Sequence, residues 1–215
     1  MPDAPREFVP ALHFRFLTPF YDFFMVFAGE RYFRRLVTEA VAIRDGQDIM
    51  DLGCGTGSQA LLIRRQCLSC IVTALDYDID ALGLALRKVQ RAGIDVRLVR
   101  GTASDLPFAD GCFDRITSSL VFHHLNTTSK LSAMREVFRA LRPSGEFLLV
   151  DFGVPKGLFM RFIAGIMRAV ERTDENVKGQ LPVMMARAGF IDVAVVREIP
   201  SPFGTVAFYR GKKPA

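Results

Sequence analysis

The sequence predicts an α/β fold: a doubly wound, mostly parallel seven-stranded sheet with helices on both faces and a helical cap at the N-terminus. Three observations predict it. Short apolar runs alternate with helical patterns from Ile49 to about Val150, the signature of βαβ units and so of a parallel sheet. The first apolar run leads directly into three alternating glycines, Gly53, Gly55 and Gly57, and then a helical pattern. The second run ends on an acid, Asp76, 25 residues after Asp51.

The elements follow in order. A strand over 49–52 feeds a helix over 58–65, and a second strand over 71–75 ends at Asp76. A helix over 80–90 is stopped by Gly93; 96–99 reads as a third strand and 113–120 as a fourth. From Asn126 to Arg142 the apolar residues Leu131, Met134, Val137, Phe138 and Leu141 recur at helical spacing, with Asn126, Thr127 or Thr128 as N-cap. Pro143-Ser144-Gly145 ends that helix and turns the chain into a fifth strand over 146–150. A short helix over 181–188 ends at Gly189, and two strand-like runs, 191–196 and 205–209, complete the sheet as a hairpin.

A chain of 215 residues suits one domain. It divides into a helical cap or lid over 1–44 and a main domain over 45–215, with a basic amphipathic insert at about 155–180. Hydrophobic content of 50% with 24% charged residues excludes a disordered chain, and no run of about 18 uncharged apolar residues suggests a membrane span. The first residues, Met1-Pro2-Asp3-Ala4-Pro5-Arg6-Glu7, lack the charged-then-apolar order of a secretory signal, so a cytoplasmic location is expected. Of four cysteines, Cys54 lies in the glycine loop, and Cys67 and Cys70 form a single C-x-x-C. That motif has no second ligand pair for zinc and precedes a strand rather than opening a helix. The expectation is free thiols at a helix end, and no metal site.

The net charge of +5 lies wholly in residues 155–215. Such asymmetry either attracts an anionic surface or is a solvated basic face. Here Leu158, Phe159, Phe162, Ile163, Ile166, Met167 and Val170 form one apolar stripe, with Arg161, Arg168, Glu171 and Arg172 mostly off it. Residues 1–33 hold eight of the 19 phenylalanines, and Phe20, Phe23, Phe24 and Phe27 share one helical face. They form a helix packed on the core, an apolar lid over a substrate pocket, or both.

Glycines at 53, 55 and 57 let the backbone turn sharply and leave no Cβ in the way of a ligand at the next helix N-terminus. A dinucleotide fingerprint, G-x-G-x-x-G, would put its third glycine at 58, where Ser58 stands. Asp51, two residues before the first glycine, would repel a pyrophosphate and attract a cation. S-adenosylmethionine offers such a cation in its ammonium and sulfonium. Asp76, at a strand end, is placed to accept both hydroxyls of a ribose.

Asp51-Leu52-Gly53-Cys54-Gly55-Thr56-Gly57 resembles the first motif of class I S-adenosylmethionine-dependent methyltransferases. Asp105-Leu106-Pro107-Phe108-Ala109-Asp110 with Phe113-Asp114 resembles the family's L-P-F-x-D…F-D passage, and Leu141-Arg142-Pro143-Ser144-Gly145 its L-K-P-G-G turn. The resemblance covers about 45–153 and is strongest to the ubiquinone and menaquinone biosynthesis methyltransferases, whose closing strand Phe203-Gly204-Thr205-Val206-Ala207 resembles. It implies a Rossmann-like fold with S-adenosylmethionine as cofactor. It further implies that Gly53, Gly55 and Thr56 lie along the methionine part, Asp76 at the ribose, Thr102 and Ala103 at the adenine, and Ser119 against the cofactor at the end of the fourth strand; Asp51 and Tyr77 are expected among the cofactor-binding residues as well. Many relatives carry an acid where this chain has Thr102, which shifts adenine recognition toward the backbone at Ala103 and apolar packing.

Methyl transfer from a sulfonium needs mainly positioning, which contributes on the order of 7–11 kcal/mol, whereas a general base adds about 100- to 10,000-fold. A closed apolar site also excludes water. His123 and His124, just past the fourth strand, are the candidate bases; the alternative is that they only pack at the strand end. His13 and Tyr21 are weaker candidates. Ser118-Ser119-Leu120-Val121 stands where amino-methylating nucleic-acid enzymes carry Asn-Pro-Pro-Tyr, and no Pro-Cys occurs, so no nucleic-acid partner is expected. The expected activity is methyl transfer to a small apolar or amphiphilic acceptor, quinone-like or lipid-like, with peripheral membrane contact through the basic insert. The alternatives are phospholipid N-methylation, a non-catalytic S-adenosylmethionine-binding module, and a nicotinamide dehydrogenase, the last disfavoured by Asp51 and Ser58.

Overall fold

The structure, a computed structural model, describes residues 29–155, 176, 178–201 and 204–215. The aromatic face at Phe20–Phe27, His13, Tyr21 and the expected amphipathic helix over 158–172 lie outside the described residues. Seven strands, β1 (Asp48–Leu52), β2 (Ile71–Asp76), β3 (Arg97–Arg100), β4 (Phe113–Ser119), β5 (Leu141–Phe152), β6 (Ile191–Ser201) and β7 (Gly204–Lys212), form one sheet in the order β3-β2-β1-β4-β5-β7-β6. β1 to β5 pair in parallel, and β7 inserts antiparallel between β5 and β6. The chain builds outward from β1 to β3, then crosses back to β4 on the other side of β1. That reversal opens a crevice at the carboxyl ends of β1 and β4, where ligands of open α/β sheets bind.

The helices are α1 (Glu30–Val41), α2 (Ser58–Gln66), α3 (Ile79–Ala92), α4 (Thr127–Ala140) and α5 (Leu181–Arg187). Strand side chains alternate between two apolar clusters, as the two-residue period of a strand requires. Ile49, Val72 and Ala74 meet Leu36, Val37 and Val41 of α1, Ala60 and Ile63 of α2, and Leu82 of α3. Met50, Leu52, Ile116, Phe147 and Leu149 meet Met134 and Val137 of α4 and Leu181 and Met185 of α5. α3 is capped by Asp78, whose carboxylate accepts the Asp80 and Ala81 amides, and α4 by Asn126, which accepts the Ser129 amide. α1 is pinned to β7 by Phe33, edge-on to Phe208, and by Arg210, which donates to the Ala40 carbonyl at 2.6 Å.

Several boundaries differ from expectation. α4 stops at Ala140, because Leu141 already pairs with Phe113 as the first residue of β5. Pro143-Ser144-Gly145 is therefore an irregularity inside a longer strand, where Ser144 takes φ 62°, rather than a turn before it. β4 ends at Ser119 because Leu120 turns to φ 57°. The expectation of free thiols at 67 and 70 is overturned: Cys67 and Cys70 form a disulfide. α2 ends at Gln66 and the chain doubles back at once, bringing the two Cα atoms to 5.4 Å, within bridging range.

Phe147 is fully buried between Phe122 and Phe190, at ring distances of 6.0 and 5.7 Å. Phe147→Ala is expected to destabilise the fold by about 3–5 kcal/mol in urea denaturation, whereas Leu68→Ala, at a residue 71% exposed, should change it by less than about 0.5 kcal/mol.

Candidate active site

The carboxyl end of β1 carries Asp51, 1% exposed and paired across the sheet with Ala74 and Thr117. Among the described residues its Oδ2 has no hydrogen-bond partner. Burial pushes its carboxyl up to about 7; the charge of Arg34 opposes this and that of Asp76 adds to it. A buried carboxylate oxygen with nothing to accept is costly. The arrangement calls for a donor or cation supplied by a ligand.

After β1 the glycine loop is stitched to the end of β2. The Gly53 and Cys54 amides donate to the Leu75 carbonyl at 2.8 and 3.0 Å, and the Gly55 amide donates to Asp76 Oδ2 at 2.7 Å. The three glycines have different reasons. A Cβ on Gly53 would collide with Val121, and one on Gly57 would lie 2.8 Å from Ala85 Cβ of α3. Only Gly55, at φ 52°, has open space beside it. Sequence reasoning gave all three to the ligand, whereas two of them make room for protein.

Asp76 also accepts the Asp78 amide at Oδ1, 2.9 Å away, so both oxygens are fixed by backbone donors while each keeps a lone pair for a hydroxyl. Tyr77 is half exposed, with the Arg100 guanidinium 5.7 Å above its ring. The Thr56 hydroxyl accepts from Lys88 Nζ at 2.6 Å, and the same ammonium reaches Ser58 Oγ at 2.7 Å. Thr102 makes a short bridge to Asp105, and Ala103 packs against the cluster around Leu106 and Phe113. This loop owes its shape to α4: Glu136 accepts the Leu106 amide, and Arg139 donates to the carbonyls of Leu106 and Phe108 and to Asp110. The Leu-Pro-Phe-x-Asp passage is thus a loop clamped by one arginine, beneath Thr102 and Ala103.

Ser119 closes β4 opposite Val150. The left-handed turn at Leu120, rare for a residue with a branched side chain, lays Val121 over Gly53 and starts a 3₁₀ turn, Phe122–His124. That turn brings His123, 2% exposed, to Asp151 on β5 with Nδ1 2.9 Å from Oδ1. Asp151 is fully buried and also accepts the His123 amide, the Phe152 amide and Asn176 Nδ2. Burial pushes its carboxyl up, but the attraction of His123 and these hydrogen bonds outweigh that and hold it below the usual carboxylate range. An ionised Asp151 only accepts, so Nδ1 of His123 carries the proton and Nε2 is its basic nitrogen. His124 stacks on His123 at 3.9 Å, and Phe152 stands edge-on to His123 at 4.9 Å.

The glycine loop, Asp76, Thr102, Ala103, Ser119 and His123 thus all lie at the carboxyl edge of the sheet. Asp151 was missed, although it follows an apolar run as Asp76 does and carries the same strand-end signal. Lys88 and Asn176 have no local signal; only tertiary structure brings them here. Among the described residues no group of three His, Cys, Asp or Glu is arranged to hold a metal, and no helix is long and apolar enough to cross a membrane.

The methyltransferase domain family matches residues 50–149. The chain is 29% identical to a demethylmenaquinone methyltransferase of Thermus thermophilus over 222 residues, covering 92% of this chain and 98% of that protein. It is 33% identical to an uncharacterized methyltransferase of Synechocystis over 165 residues, 75% of each chain. Among solved structures, the YcgJ protein of Bacillus superposes with a TM-score of 0.69 at 19% identity, covering 86% of this chain and 99% of that one. A phosphoethanolamine N-methyltransferase of Haemonchus contortus bound to S-adenosylhomocysteine gives 0.71 at 18% identity, with 86% and 53% covered. The chain belongs to the S-adenosylmethionine-dependent methyltransferases and is an enzyme of that family, with S-adenosylmethionine as its cofactor.

Proposed function

We propose that this enzyme methylates a small apolar or amphiphilic acceptor of the quinone type, and that His123, oriented by Asp151, is its general base. The observation that carries the base is the buried His123–Asp151 pair at the carboxyl ends of β4 and β5. The acceptor class draws on the 29% identity to a demethylmenaquinone methyltransferase over nearly its whole length and on the phenylalanine-rich N-terminal sequence, which we assign to a cap over the acceptor.

The residues present fit the cofactor. Asp51 Oδ2, buried without a partner among the described residues, suits its ammonium; Gly55 leaves backbone space; Asp76 is assigned to the ribose hydroxyls, and Thr102 and Ala103 to the adenine, with Tyr77 and Ser119 beside them. When bound, S-adenosylmethionine supplies a methyl group on a sulfonium, a good leaving group for in-line displacement. This chain orients the partners and moves one proton. Asp151 holds His123 so that Nε2 takes the proton, and the resulting imidazolium is stabilised by a carboxylate already ionised. Asn176 Oδ1, buried with no partner among the described residues, is assigned to a hydrogen bond from the acceptor. Val121, packed over Gly53, and Phe152, edge-on to His123, are assigned to keeping water away.

Methyl-labelled S-adenosylmethionine offered with a polyprenyl demethylquinol or with phosphatidylethanolamine vesicles should label the quinol. Label in the phospholipid alone would replace this reading with phospholipid N-methylation. His123→Ala should lower kcat by about 100- to 10,000-fold while leaving S-adenosylhomocysteine affinity within about twofold. Asp151→Asn should do so less severely, and a kcat that falls instead in His124→Ala would move the base to His124.

The Asp51 carboxyl, raised from an unfolded value of 3.8 to about 7, contributes stability that is complete below about pH 4 and lost as pH rises through about 7. A cationic ligand favours the ionised form. S-adenosylhomocysteine affinity should therefore rise about tenfold between about pH 6 and 8, and calorimetry on Asp51→Asn should find that rise abolished.

A further inference from the structure

Tyr209 carries a buried hydroxyl toward the side of the crevice given to the acceptor. It lies on β7, 2% exposed, opposite Leu149 of β5 and in the same apolar cluster as Phe147, Met185 and Phe190. Cross-strand partners share a face of a sheet, as do residues two apart on a strand. Asp151 pairs with Ala207, so the side chains of Tyr209, Ala207 and Asp151 and the open face of Gly153 lie on one side. The Tyr209 ring runs along that side toward the carboxyl end of β5: a Cβ on Gly153 would stand 3.1 Å from Tyr209 Oη and 2.7 Å from Ala207 Cβ. Two small residues thus make room for the hydroxyl, one of them paired with Asp151 and the other two positions after it.

The protein itself gives this hydroxyl nothing to bind. Asp151, the carboxylate on the same side, already takes the His123 ring, two amides and Asn176, and among the described residues Tyr209 Oη has no hydrogen-bond partner. Burial, then the charges of Asp151 and Glu198, hold it above the usual phenol range, so it keeps its proton and donates. A buried donor left without an acceptor is destabilising. Asn176 Oδ1, bound through its amide to the same carboxylate, is the matching buried acceptor without a donor.

We infer that the Tyr209 hydroxyl donates to the acceptor oxygen from which His123 takes the proton, and so selects a phenol-type acceptor over an amine. This rests on the acceptor and the base proposed above. The proton passes from the acceptor O–H to His123 Nε2, and the oxygen left negative meets a neutral donor already held in place by packing. A phenol oxygen has lone pairs to spare for that bond, whereas an amine needs its single lone pair for the methyl group.

Tyr209→Phe removes the hydroxyl and keeps the ring. With a polyprenyl demethylquinol its kcat should fall about 10- to 100-fold, KM should change by less than about threefold because the bond tightens as charge develops, and S-adenosylhomocysteine affinity should stay within about twofold. The urea midpoint should not fall, since the hydroxyl has no partner in the free protein. 4-Nitrophenol, whose phenolate is coloured, reads the contact without turnover: bound to the full chain with S-adenosylhomocysteine, it should ionise about one pH unit higher in Tyr209→Phe than in the wild type. A kcat within about twofold of wild type, a lower kcat with the nitrophenol ionising at the same pH, or a lowered urea midpoint would overturn the inference. A wild-type protein that neither methylates the quinol nor binds the phenol would overturn the acceptor reading itself.

Discussion

A buried carboxylate with an unsatisfied oxygen, Asp51 at the end of β1, is the constraint from which the arrangement of this enzyme follows. Burying a charge without compensation costs several kcal/mol, and among the described residues nothing donates to its Oδ2. The fold tolerates this because burial lets the carboxyl hold its proton up to about 7, although the charge of Arg34 on α1 opposes that rise. That tolerance is incomplete without a ligand. The site is thus preorganised for a positive group rather than assembled around one.

Around that carboxylate the loop geometry is set by packing as much as by ligand. Val121 occupies the space left by Gly53, and Ala85 that left by Gly57, so the glycine spacing joins α3 and the β4 terminus to the loop. The left-handed Leu120 is the counterpart on β4, since its turn both lays Val121 over Gly53 and brings His123 to Asp151. One local departure from ordinary backbone geometry thereby couples the cofactor side of the crevice to the acceptor side, and strain of this kind is common at functional sites.

The three acids at strand ends divide the work by environment. Asp76 is partly exposed and anchored by two amides; Asp51 is buried and short of donors; Asp151 is buried and amply supplied, with a histidine ring, two amides and an asparagine. The same side chain is thereby suited to the three roles we propose for it, hydroxyl acceptor, cation receptor and orienting anion. The sequence signal, an acid after an apolar run, is alike in all three. Asp51 and Asp76 were legible because glycines and a fixed spacing frame them. Asp151 was not, because its partners come from residues 28 positions before it and 25 after it.

By itself the sequence determined the strand and helix order, the glycine loop with its two flanking acids and the histidine pair, since each depends on local periodicity, turn chemistry or short spacing. Segment ends were less legible: long-range pairing pulled Leu141 out of α4 and into β5, and the turn after α2 joined two cysteines expected to be free. Only the tertiary structure decided that Lys88 holds Thr56 and Ser58, that Arg139 clamps the 105–110 loop and that Asp151 orients His123. These pairings join different elements across the fold, and hydrophobic periodicity has no term for a contact whose two halves are set by how helices dock on a sheet.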